Sequence, residues 1–408
     1  MRWLRALYLS NGFSIGTLYG FVPVLLQSKG FDPALIGVTT SLGSLAFTIA
    51  LPAWGHVGDI VSGPRRTLQM ACVPAAIFAI GLSAPLPVVA IIVCQIVVSA
   101  GGGPAMALTD AMAVPVLEDA SREYARLRLL TSLGAAAGAI GCGYLYAVVG
   151  YLAAPAIYLV PMAATMISAQ MVPHGRDSER HRQARALLDG RVHAVPERGR
   201  LGSVGEAFSV SPRLIAVLVS VTCIFVAIMA SATYITLRIS DLGGGPIEVG
   251  LVNGIGSAAE VPGLILVGLL VARFGARSVL AACAAGFAAC MLSWIVLVDA
   301  VPILVTRFAS GICFSGIFVA YVLTVARMLP ARLQATGQTL LQAACFGIGA
   351  ILANLIGGIL YGSVGPIGVF GVGAICAVVG GAVGFMALPT EAGPISEPSI
   401  VAPLPLAG

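Results

Sequence analysis

Charge is scarce in this sequence. Of 408 residues only 10% are Asp, Glu, Lys or Arg, and there is a single lysine, Lys29. A soluble domain carries about 25%. Hydrophobic residues make up 58% and the mean hydropathy is +0.99. One water-facing globule cannot hide that much apolar surface, so the sequence reads as an integral membrane protein. Alternating segments of about ten residues, the mark of a β-barrel, are missing. No G-x-x-x-x-G-K-[ST] loop occurs, so ATP is not the expected energy source. Cys-x-x-Cys is absent too. The nine cysteines stand singly in apolar runs, at Cys72, Cys94, Cys142, Cys223, Cys283, Cys290, Cys313, Cys345 and Cys376, and read as small buried hydrophobes. All four histidines, His56, His174, His181 and His193, fall in polar connections. No Ser–His or Cys–His pair is placed to meet inside a bilayer. The pattern argues against an enzyme and implies no metal and no cofactor.

What the sequence has in quantity is apolar runs of about 20 residues, the length that crosses a bilayer as a helix. Twelve are expected, at 3–27, 33–57, 65–84, 87–115, 124–148, 151–172, 212–238, 246–271, 277–297, 301–328, 332–361 and 366–388. The first, opening MRWLRALYLSNGF, has an arginine-flanked run without a small-residue cleavage site, and reads as a span rather than a signal peptide. Between the sixth and seventh lies a polar stretch, 173–211, with seven arginines. It divides the chain into a six-helix bundle over 1–172 and a second over 212–388. The proline-rich tail, 389–408, is expected to be disordered.

The net charge of +5 is unevenly spread. With the N-terminus inside, the inner loops carry Arg2, Arg5, Arg65, Arg66, Arg122, the linker arginines, Arg273, Arg277, Arg327 and Arg332. The outer loops carry Lys29 and, at an edge, Arg238. By the positive-inside rule both termini and the linker face the cytoplasm. The positive charge then reflects orientation in a lipid bilayer, not a nucleic-acid partner.

The halves repeat. IGVTTSLGSLAFTIALPAWGHVGD from Ile36 matches VGLVNGIGSAAEVPGLILVGLLVA from Val249. Gly37, Gly43 and Gly55 recur 213 residues on as Gly250, Gly256 and Gly268. SGPRR at 62–66 echoes FGARS at 274–278, and LYAVVG at 145–150 echoes LYGSVG at 360–365. Two like-oriented six-span halves make the layout of a rocking transporter.

On these residues the chain resembles the major facilitator superfamily. The most specific mark is GHVGDIVSGPRR at 55–66, similar to that superfamily's loop between helices two and three. Gly55, Gly58, Asp59, Gly63, Arg65 and Arg66 take the motif's places. Gly63 allows a tight reversal, and Asp59 is positioned to pair with Arg65 or Arg66 or to sit at a helix N-terminus. The resemblance implies a gating latch; the plainer alternative is a topological anchor. EYARLRLLTSLG at 123–134 and GIGSAAEVPGLILVG at 254–268 resemble the fifth and eighth helices of the sugar and nucleoside proton-symporter branch. The latter resembles bacterial sugar exporters as well. The implied fold is all-α, with twelve transmembrane helices in two pseudo-symmetric bundles. The implied function is proton-coupled uptake of a sugar-like or small organic solute through the inner membrane, by a monomer. Efflux of sugars or drugs is the second expectation and a transporter-like receptor a remote third.

Asp110 and Arg128 stand in apolar runs at equal distance from the turn between spans four and five. An unpaired charge at mid-bilayer costs ~2.5–3.5 kcal/mol on insertion scales, which pairing offsets. The resemblance makes them the substrate-gripping pair; a structural ion pair is the alternative. Arg126, nearer the loop, snorkels. Glu260 lies mid-span, two residues before Pro262, which frees a backbone carbonyl. It is expected to carry a proton or contact substrate, with Arg307 as partner; a bond to a neighbouring helix is the alternative. Asn11, Tyr19, Tyr234, Tyr321, Thr324, Gln338 and Gln342 are candidate path-lining residues, though each alone suits a helix–helix hydrogen bond.

The family pattern breaks in places. Ala135 stands where the lactose-transporting members stack a Trp on sugar. Ser293 and Ser310 fall near an expected Arg and His. These departures speak against galactoside specificity and a histidine relay. No Arg occurs between Arg66 and Arg122, and GAAAGAIGCG at 134–143 has no proline, which speaks against drug efflux.

Overall fold

The computed structural model describes residues 1–113, 120–172 and 200–388. Among them, ten helical runs are long and apolar enough to cross a membrane. Two of these, Pro33–Ser83 and Pro246–Val296, are 51 residues long. At ~1.5 Å per residue each would extend about 75 Å, far beyond the ~30 Å hydrocarbon layer. Both reverse midway at a glycine in the left-handed region, Gly63 and Gly275, each with φ of +78°. The fold is therefore all-α, with twelve transmembrane helices in two pseudo-symmetric bundles.

The first half holds α1 (Arg2–Ser28), α2 (Pro33–His56), α3 (Gly63–Ser83), α4 (Val88–Ala113), α5 (Ala120–Val149) and α6 (Ala154–Met171). The second holds α7 (Arg213–Asp241), α8 (246–274), α9 (276–296), α10 (Ala300–Met328), α11 and α12 (Pro366–Ala387). Helix α11 runs from Ala331–Gln342 through a π-helical stretch, Ala343–Gly349, into Ala350–Val364. A short helix, Arg200–Val210, lies within the expected linker; residues 173–199, the expected tail, and the turn at 114–119 lie outside the described residues.

The repeat is written into the backbone. Among the described residues the positive-φ glycines fall into matched pairs: Gly30 with Gly243, Gly63 with Gly275, and Gly150 with Gly365. Only glycine takes this conformation without a steric penalty. Side-chain ties repeat as well. Tyr146 of α5 donates to the Thr17 carbonyl of α1 at 2.7 Å, and its counterpart Tyr361 of α11 donates to Asp241 of α7 at 2.5 Å. Lys29 caps the end of α3 through the carbonyls of Leu82 (2.9 Å) and Ala84 (2.5 Å). Arg238 does the same for α9, through Trp294, Ile295 and Leu297. At the opposite, arginine-rich end Arg65 bonds the Val172 carbonyl after α6, and Arg277 stacks 3.8 Å from the Phe385 ring of α12.

The halves meet along two crossings, α2 on α11 and α5 on α8. In the first, Gly37 faces Gly358: a Cβ on Gly358 would come 2.9 Å from the Gly37 Cα. In the second, a Cβ on Gly250 would come 2.7 Å from the Gly143 Cα. Gly37 corresponds to Gly250 and Gly143 to Gly358, so one contact is used twice. Both lie toward the arginine-poor end, and Asn253 closes the gap between them by donating to the Gly20 carbonyl at 3.2 Å.

Replacing Gly37 or Gly250 by Leu should prise that end apart. Overpacking costs ~1–3 kcal/mol, and ~1.4 kcal/mol shifts an equilibrium about tenfold. With a cysteine at Thr233, labelling by an impermeant maleimide from the arginine-poor side should rise about tenfold over the parent. Unchanged labelling would show that these crossings do not hold the end shut.

Candidate functional site

Between the two halves lies a central cavity of about 500 Å³. Small and polar residues face it from both halves. Asn11 and Tyr19 come from α1, Ser44 and Phe47 from α2, Gln95 and Ser99 from α4, Thr233 from α7, Asn253 and Ser257 from α8, Arg307 from α10, and Phe346 and Asn354 from α11. The hydrogen bonds that cross between the halves among the described residues join Gln27 to Asp241, Asn253 to Gly20, Ser41 to Ile351, Asn354 to Ser44 and Ser132 to Glu260. All lie between the arginine-poor end and the level of Glu260.

Asp110 and Arg128 meet, with Nη1 3.7 Å from Oδ2. Two tyrosines complete the carboxylate's shell: Tyr8 donates to Oδ1 at 2.6 Å and Tyr124 to Oδ2 at 3.1 Å. Hydrogen bonds to a charged group are worth more than neutral ones, so the tyrosines, not the long ion pair, fix Asp110. The Arg128 side chain is 42% exposed and that of Asp110 26%. Neither residue is on the cavity wall.

Glu260 is held across the interface. Ser132 of α5 donates to its Oε2 at 3.0 Å, and Ser315 of α10 donates to its backbone carbonyl at 3.3 Å. Arg307 lies on the cavity wall against Gly256, bonded to the Val252 carbonyl at 3.3 Å and Ser310 at 3.4 Å. Among the described residues Glu260 and Arg307 form no ion pair within 4.0 Å.

Of the path-lining candidates, Asn11 and Tyr19 reach the cavity. Asn11 bonds Thr109 at 3.4 Å. Tyr19 packs on Gly102, where a side chain would strike its hydroxyl; the Gly101–Gly103 break in α4 thus permits close approach. Tyr234, Tyr321 and Gln338 go elsewhere. Tyr234 is fully buried and donates to the Asn354 carbonyl at 2.5 Å, Tyr321 is buried against Ser220 at 2.5 Å, and Gln338 donates to the Val322 carbonyl at 3.0 Å. Each spends its polar group on a neighbouring helix, the alternative their sequence positions left open. Thr324 bonds back to the Ala320 carbonyl of its own helix.

In the loop motif, Gly63 makes the expected reversal and Gly58 packs 3.3 Å (as a Cβ) from Leu108. Gly55 meets nothing. The expected pairing of Asp59 with Arg65 or Arg66 is not formed among the described residues. A π-helical stretch, Val57–Ser62, leaves Asp59 and Arg66 exposed, while Arg65 turns to Val172.

Sequence reasoning passed over Tyr8, Tyr124, Ser132, Gln95, Asn253 and Asn354. Their signal was a polar side chain inside an apolar run; what it lacked was a partner, which for Tyr8, Ser132, Asn253 and Asn354 is supplied by residues more than 100 positions away.

A double-mutant cycle of Tyr8→Phe and Asp110→Asn, read by chemical denaturation in detergent, should give a coupling of about 1.5–3 kcal/mol. A value near zero would mean that the tyrosine does not set the carboxylate.

Comparison with known proteins follows from this geometry. A family model described as the MFS_1 like family matches residues 1–372. A maltose permease of Geobacillus stearothermophilus is 28% identical over 378 residues, covering 90% of this chain and 89% of that protein. Among solved structures, a nucleoside transporter (NupG) superposes with a TM-score of 0.78 at 16% identity, covering 94% of this chain and 98% of that one. The inward-open xylose transporter XylE of E. coli superposes with a TM-score of 0.72 at 14% identity, covering 96% of each.

Proposed function

This chain belongs to the MFS_1-like family of major facilitator transporters, and on that premise we propose that it takes up a sugar-like or small organic solute by alternating access, coupled to protons. It is a multi-pass membrane transporter and not an enzyme. The observation that carries the proposal is the central cavity walled by both halves, with the cross-half hydrogen bonds among the described residues at or beyond the level of Glu260 toward one end.

In this reading the arginine-rich face is cytoplasmic, the protein sits in the cell membrane as a monomer with both termini inside, and the structure is an inward-facing state. The halves are 1–172 and 212–388, joined by the 173–211 segment. Rocking them breaks the Gly37–Gly358 and Gly143–Gly250 contacts and brings the arginine-rich ends together. The Gly55–Arg66 motif serves as the latch of the other state. Asp59 and Arg66, exposed here, then gain partners.

Coupling rests on Glu260. It is a carboxylate that bridges the halves through Ser132, deeper in the protein than the Gln27–Asp241 contact at the arginine-poor end. Taking up or releasing a proton there changes what the bridge can hold, so protonation and rocking are linked. The maltose permease and the xylose and nucleoside transporters point to a hydroxylated solute, which Asn11, Gln95, Asn253 and Asn354 suit as hydrogen-bonding groups. Asp110 and Arg128, at the wet mouth, meet the solute on its way.

In proteoliposomes, Glu260→Gln should abolish accumulation driven by an inward proton gradient, at least about tenfold, while solute exchange without a gradient continues. Wild-type transport that is equal with and without the gradient would remove the coupling. Arg128→Ala should erase ligand-induced thermal stabilisation while leaving the unliganded melting point within ~2 °C, since the pair is half-exposed. Failure to fold would instead make the pair structural.

A further inference from the structure

Arg307 is a cation on the cavity wall, and among the described residues no carboxylate lines that cavity. Its Nε and Nη1 make long bonds to Val252 and Ser310; among the described residues Nη2 has no hydrogen-bond partner and the guanidinium no ion pair. Glu260, one turn beyond Gly256, is near enough for its charge to act on Arg307. Its Oε2, however, is engaged by Ser132 of the other half. Arg307 is part-exposed on the cavity wall and forms no ion pair within 4.0 Å among the described residues. A guanidinium fork is shaped to receive a planar two-oxygen anion.

The opposite wall carries a second unmet group. Gln95 is 4% exposed; its Nε2 donates to Ser99 at 3.2 Å, and its Oε1 is buried with no partner. An orphaned acceptor calls for a donor such as a hydroxyl. Gln95 lies on the wall across from Arg307, its Oε1 covered in this state, so a solute hydroxyl reaches it once the amide turns into the cavity of about 500 Å³, a volume within the range of small-molecule sites.

We propose that the solute is a polyhydroxylated carboxylic acid of one or two sugar rings, its carboxylate on Arg307 and a hydroxyl on Gln95. This rests on the transport function above and narrows its substrate class. A phosphate fits less well, since its charge of nearly −2 would exceed the single cation on the wall.

The test compares matched pairs, glucose with glucuronate and maltose with maltobionate. Full-length protein in nanodiscs is titrated at constant ionic strength, with thermal stabilisation as the readout. The acid of at least one pair should bind about tenfold tighter than its neutral partner. Arg307→Gln should bring the two within about twofold, Arg307→Lys should keep part of the preference, and Gln95→Leu should weaken both members alike. Equal binding of acid and neutral sugar by the wild type overturns the proposal and leaves the transport function standing. So does an acid preference that survives Arg307→Gln. The wild-type comparison decides the matter by itself if the variants do not fold. No stabilisation by any of the four sugars overturns the proposal as well. If flux assays with neutral sugars, nucleosides and small organic acids then also find nothing, the transport function falls with it.

Discussion

Backbone touching backbone at two places is the constraint on which the rest of this structure depends. Gly37 on Gly358 and Gly143 on Gly250 let four helices approach more closely than any side chain would allow. In a bilayer, lipid tails are as apolar as the helices, so close van der Waals packing and interhelical hydrogen bonds drive association. The two contacts are copies of each other under the internal repeat. They join the halves symmetrically at one end, and helices pinned at one end diverge at the other. The cavity is a consequence of where the glycines are.

The ionisable groups follow the same division. In the first half Asp110 is satisfied within its own bundle, by Tyr8, Tyr124 and Arg128. In the second half Glu260 and Arg307 are near each other but separately engaged. The acid reaches over to Ser132 of the first half, and the guanidinium is left on the cavity wall. A self-contained pair stabilises a bundle in any state of the cycle. A carboxylate bonded across the interface is sensitive to the state. That contrast, more than the presence of charge, separates a group whose bonds stay within one bundle from one whose bond depends on how the halves meet.

Much of the fold was legible in the amino-acid order. Twelve spans follow from run length, and their expected ends lie within a few residues of the helices found. The repeat was visible in Gly37/Gly250 and in the LYAVVG and LYGSVG turns, whose final glycines both take positive φ. The site was legible in part. Asp110, Arg128, Glu260 and Arg307 stood out because charge in an apolar run is costly. Tyr234, Tyr321 and Gln338 looked equally suited to a path yet spend their polar groups on neighbouring helices. Asp59 was expected to pair with Arg65 or Arg66 or to sit at a helix N-terminus; it lies in a π-helical stretch, exposed, and among the described residues forms no ion pair with either.

The sequence by itself determined the solvent, the number of crossings, their orientation signal and the internal repeat. These depend on composition and on periods along the chain, which water and lipid read locally. Tertiary structure alone decided which polar groups meet. Ser132 and Glu260 are 128 positions apart, as distant along the chain as many residues that never touch. Helix crossing and rotation about the axis settle whether a side chain finds a neighbour, lipid or the cavity. Neither quantity is encoded in the identity of one residue.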